Sequence, residues 1–86
     1  MATVRERANA RVKGLPPGWD VLQHFHIGEH RDAVVLCQRT VEDGDHGTQF
    51  VVWWHNAIEG GCYSGKYVDS YTDALAEFNS RRRRLR

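Results

Sequence analysis

Gln49-Phe50-Val51-Val52-Trp53-Trp54-His55-Asn56 is the most β-prone stretch of the chain, and its reading decides the fold. β-Branched and aromatic side chains suit a pleated surface and lose rotamer freedom in a helix. At a period of two, Phe50, Val52 and Trp54 share one face, while Val51, Trp53 and His55 share the other. The first set reads as core.

Working outward, Ala33 to Val41 reads as a second strand, well bounded by turns. Within 19–27, His24-Phe25-His26-Ile27 alternates polar with apolar as a half-buried strand does. Cys62 to Tyr67 is a short further strand, in which Gly65 marks a bulge or a close backbone approach. Gly28 to Asp32, the acidic loop Glu42 to Gly47, and Glu59-Gly60-Gly61 are the turns between them. Turns this short favour antiparallel neighbours.

The last element is helical. Ser70 is its N-cap, and Tyr71, Ala74, Leu75, Phe78, Arg82 and Leu85 follow a three-to-four spacing that makes one apolar stripe. The fold class is therefore α+β: an antiparallel three- to four-stranded meander with a C-terminal helix packed on one face. Phe50, Val52, Trp54, Leu75 and Phe78 form the expected core. A single helix covers one face of a sheet. The other face is expected to stay open, with Trp53, His55 and one of Tyr63 and Tyr67 near it.

Upstream, Thr3 and Glu6 have capping-box spacing, and Val4, Ala8 and Val12 recur every four residues. That predicts a short helix or a flexible arm, ended by Gly14-Leu15-Pro16-Pro17-Gly18. The organisation that follows is a basic arm over 1–13, one domain over 14–80 and a basic helix end over 81–86. The 86 residues suffice for one domain, and 41% hydrophobic content is too rich for a fully disordered chain.

Leu15-Pro16-Pro17-Gly18-Trp19, Phe50 to Asn56, Gly61-Cys62-Tyr63-Ser64-Gly65-Lys66-Tyr67 and Asp73-Ala74-Leu75-Ala76-Glu77-Phe78, in that order, carry a family likeness. Over residues 15–80 the chain resembles small accessory proteins encoded by actinobacterial phages and prophages. That pattern often has His where this chain has Lys66, so no site residue transfers there. The resemblance implies a gene class and no chemistry: many such proteins bind and disable a host factor. A host defence nuclease, a CRISPR effector included, is one such partner by analogy. Host-cell cytoplasm is the implied location.

Charge is segregated along the chain. Residues 1–13 hold Arg5, Arg7, Arg11 and Lys13 against Glu6, and 81–86 hold five arginines. Between them, three cations face ten acids, which leaves −7. Segregation of this kind bears on partners and association rate. No run approaches the roughly 20 apolar residues of a membrane span, and the charged start is unlike a signal peptide, so no membrane partner is expected.

Catalytic and metal signatures are weak. Cys37 and Cys62 lie in apolar, strand-like runs, where a free Cys serves as a small hydrophobe. Neither sits at a helix N-terminus that would activate it. The five histidines include His24 and His26 on one strand face, but no Cys-x-x-Cys or His-Glu-x-x-His spacing occurs. Glu42-Asp43-Gly44-Asp45 lacks the spacing of a calcium loop. The expectation is a non-enzymatic protein without metal or cofactor. Its partner-binding residues are expected at Trp53, His55, Arg81, Arg82, Arg83 and Arg84, with a host protein as partner. The alternative is nucleic-acid binding through the basic N- and C-terminal segments. Open edges and an aromatic open face also predict a homodimer with Trp53 near its centre.

Overall fold

The computed structural model describes residues 2–41 and 47–85. Of the acidic loop read at 42–47, residues 42–46 lie outside the described residues, His46 among them, as does the last arginine of the tail, Arg86.

Helix α1 (Val4–Ala10) is followed by strands β1 (Asp20–Phe25), β2 (Asp32–Val41), β3 (Gly47–Asn56) and β4 (Cys62–Val68), then by helix α2 (Tyr71–Arg83). The strands form one antiparallel sheet in the order β1-β2-β3-β4. The expected α+β meander is therefore present with four strands. β1 starts earlier than the alternation at His24 suggested, because Asp20 and Val21 already pair with Gln38 and Cys37.

Local chemistry sets both helix starts. Thr3 Oγ1 accepts from the Glu6 backbone N–H while the Glu6 carboxylate accepts from the Thr3 N–H, a complete capping box. Ser70 Oγ accepts from the Asp73 N–H at 3.0 Å and caps α2. The glycine reading also holds. β4 gains a residue against β3 between the Val52–Lys66 and Trp54–Tyr63 pairs, and Ser64 adopts φ 54° there. A Cβ on Gly65 would collide with the indole nitrogen of Trp53.

Each face of the sheet carries its own core. On the α2 side, Val34, Leu36, Phe50 and Val52 pack with Ala74, Phe78 and Leu85, and Trp54 and Leu75 join as half-buried neighbours. On the opposite side, Val35, Cys37, Val51, Val21 and Trp53 pack with Val12 and Trp19.

That second core corrects the expectation of an open face. Chain segment 11–19, routed by its prolines and glycines, lies over it. Gly61 N–H and the His55 ring both donate to the Lys13 carbonyl, at 2.8 and 2.9 Å. A Cβ on Gly14 would come within 2.6 Å of the Gly61 backbone nitrogen, so the two backbones touch where Gly14 holds φ +80°. Trp53 and His55 are consequently 5% and 2% exposed.

The tail is corrected too. Leu85 is 2% exposed and belongs to the core, as does Val12 from the supposed arm. Arg81 is buried at 7%, its Nε donating to Glu77 Oε2 at 2.7 Å. The stripe Ala74, Phe78, Arg81, Leu85 keeps the three-to-four spacing, with Arg81 in the place the sequence reading gave to Arg82.

Candidate functional site

The arginines at the end of α2 divide into two kinds. Arg81 and Arg84 are tied inward: both approach Glu77, and both guanidiniums sit over the Trp54 ring, at 5.6 and 5.8 Å. Lys66 on β4 reaches the same carboxylate at 3.5 Å. The hydrogen bond from Arg81, then its charge and that of Lys66, hold the Glu77 carboxyl below the usual range. Arg82 and Arg83 make no ion pair among the described residues. Both are exposed, and Arg82 stacks 5.3 Å from the centre of the Phe25 ring.

The basic N-terminal segment reaches the same strand from the other face. Asn9 on α1 donates to Asp20 and accepts from the Val21 N–H at 2.7 Å, which fastens α1 to the start of β1. Arg5 lies 3.8 Å from Asp20. Arg11 is close enough to His24 to disfavour its protonation. Strand β1 thus has Arg5 and Arg11 on one side and Arg82 and Arg83 at its far end, while Leu22 on it and Ile27 just beyond it stay 36% and 41% exposed.

The opposite edge strand, β4, has a different surface. Tyr67, 59% exposed, leans on Trp19 and Trp53, and Arg39 covers Trp19 at 4.5 Å. Tyr63 donates its hydroxyl proton to Asp32, which keeps that carboxyl low.

The cysteines are not poised as nucleophiles. Burial pushes the Cys37 thiol up to about 12, with Cys62 and Asp20 adding to it, and raises Cys62 to about 11. Among the described residues no three His, Cys, Asp or Glu side chains come together as a metal site requires. Among the described residues no helix is long and apolar enough to cross a membrane. An open cleft of about 360 Å³ between β4 and α2 is lined by Lys66, Val68, Asp73, Ala76 and Glu77, and its lysine and glutamate already pair with each other.

The histidines that the sequence set on one face prove to have different partners. His26 meets the His30 carbonyl at the β1–β2 turn. His24 faces His55 at 6.4 Å between ring centres. Because its Nε2 must donate to the Lys13 carbonyl, His55 keeps a bare, buried Nδ1 with no hydrogen-bond partner among the described residues. Burial first, then His55, His26 and Arg11, lower the pKa of His24.

A pH dependence follows. Around the ordinary histidine value of 6.5 the unfolded chain binds the His24 proton more readily than the folded one. The contribution of His24 to stability is therefore complete above about pH 6.5 and is lost as pH falls through its lower folded value. The carboxylates held low, Glu6, Asp32 and Glu77, lose their contributions only at more acid pH. Thermal midpoints should fall between pH 7.5 and 5.5, and His24→Gln should flatten that fall. An unchanged slope in the variant would remove His24 as the cause.

No family model matches the chain, and no curated protein or solved structure matches it either.

Proposed function

We propose that the protein is a non-enzymatic binding module that docks an acidic, partly apolar surface of another protein along β1. The observation that carries this reading is the position of the two basic segments. Separated by most of the chain, they meet at one edge strand, Arg5 at its start and Arg82 at its end, with Leu22 exposed on that strand and Ile27 exposed just beyond it. Opposite charge speeds encounter and fixes register, and apolar contact then supplies affinity. Raised thiol pKa values support a role without cysteine chemistry. The resemblance to phage accessory proteins supports a host protein as the partner, met in the host cytoplasm, a defence nuclease being one form it takes. A self-associated state remains compatible with this surface, since β4 and its tyrosines lie on the other side of the sheet.

The test is affinity capture from host lysate with wild type and with a variant carrying Gln at Arg5, Arg11, Arg82 and Arg83. These side chains are exposed, so the fold should survive, as circular dichroism would verify. Wild type should retain a protein partner after nuclease treatment, and the variant should lose it by about tenfold or more at low ionic strength. Equal retention by the two proteins overturns the reading. Disappearance of all partners after nuclease replaces it with nucleic-acid binding, for which log affinity should fall steeply with log salt.

A further inference from the structure

We propose that the cleft between the last turn of α2 and the end of β1 is an anchor site for an acidic protein segment carrying one apolar side chain. The proposal rests on the binding reading above and names the point at which the partner is held. Phe25, Ile27, Arg82 and Arg83 line an open cleft of about 190 Å³. Small-molecule and cofactor pockets run to roughly 300–1,000 Å³, so this cleft suits a single side chain. Its apolar part is accessible among the described residues: Ile27 is 41% exposed, and Phe25 is half-buried with Arg82 over its ring.

Two guanidiniums that are free of ion pairs among the described residues stand at its rim. Arg81 and Arg84, one position to either side, turn toward Glu77, which leaves Arg82 and Arg83 as the arginines of this cleft without a carboxylate partner among the described residues. The end of α2 carries the negative pole of the helix, which weakly disfavours anions. Recognition must therefore come from the guanidinium forks, whose planar donors match a carboxylate. An apolar side chain seated on Ile27 with acidic neighbours beside it satisfies apolar part and rim together. Nucleic acid fits less well. The aliphatic Ile27 offers no stacking plane, and Arg82 already stacks on Phe25.

Fluorescence polarisation tests this with a labelled acidic nonapeptide that has leucine at its centre, at low ionic strength. Comparison probes are the same peptide with central serine, a lysine-for-acid counterpart, and a short single-stranded DNA. Saturable binding of the first peptide is expected, weakened about tenfold or more by the central serine and by either Arg82→Glu or Arg83→Glu. Ile27→Asp should act likewise, and amide shifts on titration should centre on Ile27, Arg82 and Arg83. Equal binding of the leucine and serine peptides overturns the proposal. So does wild-type affinity in the arginine variants, shifts centred elsewhere, or DNA binding tighter than the peptide with the same variant dependence. If the four-Gln variant loses its captured partner while the peptide ignores the cleft, the binding reading stands and the anchor site falls. If both measurements fail, both fall.

Discussion

Trp53→Ala should cost about 3–5 kcal/mol, as truncation of a buried aromatic does. The indole is 5% exposed and stands edge-on to Trp19 at 5.3 Å and to Tyr67 at 6.2 Å. Each such aromatic pair adds about 0.5–1.5 kcal/mol beyond area burial. The cavity left behind could not collapse easily, because Gly65 opposite has no side chain to move into it. A domain whose whole stability is about 5–15 kcal/mol would be brought near its limit. Urea unfolding gives the number, and an unchanged m-value keeps the comparison valid. A loss below about 1 kcal/mol would mean that this face of the sheet is open after all.

Phe78→Ala should be comparably damaging, at about 3–5 kcal/mol, because Phe78 is 4% exposed in the core under α2. Leu75→Ala gives the contrast. Leu75 is only half-buried at the margin of that cluster, so its loss should stay below about 2 kcal/mol, the low edge of fully buried Leu→Ala changes. Equal costs at the two positions would show that α2 is rotated about its axis from the packing described. Paired with Trp53→Ala, the series asks whether the two cores contribute alike.

What could be read from the residues was whatever local pattern controls. Strand alternation, the Ser70 cap, the Thr3–Glu6 capping box and the special role of Gly65 all depend on neighbours in sequence, and each is present. The cover over the second face depends on none of them. Val4, Ala8 and Val12 recur every four residues, yet Val4 is 77% exposed and Val12 does its packing from beyond the end of α1. Pro16 and Pro17 mark a break in helix correctly, and nothing local says where the chain goes afterwards. The segment lies against residues far downstream, Lys13 meeting His55 and Trp19 meeting Trp53.

Arg81 was missed for another reason. Ala74, Phe78, Arg81 and Leu85 have the spacing of a buried stripe, so the phase was visible. The residue type argued against it, because an arginine is seldom buried without a partner. Glu77, one turn earlier, is that partner. The four consecutive arginines therefore looked like one feature and are two. The meeting of both chain ends at β1 was beyond reach, since it needs the sheet order and the side on which each helix lies.

The Lys13 carbonyl also bears on how the chain is made. It accepts from His55, 42 positions downstream, and from the Gly61 backbone. Synthesis runs from the N-terminus at about 5–20 residues per second, so Lys13 joins the chain roughly 2–8 s before His55 does. Through that interval Val12 and Trp19 have no sheet to cover. The first segment to emerge is thus among the last to find its place, and until β3 follows it out of the ribosome those side chains are left uncovered.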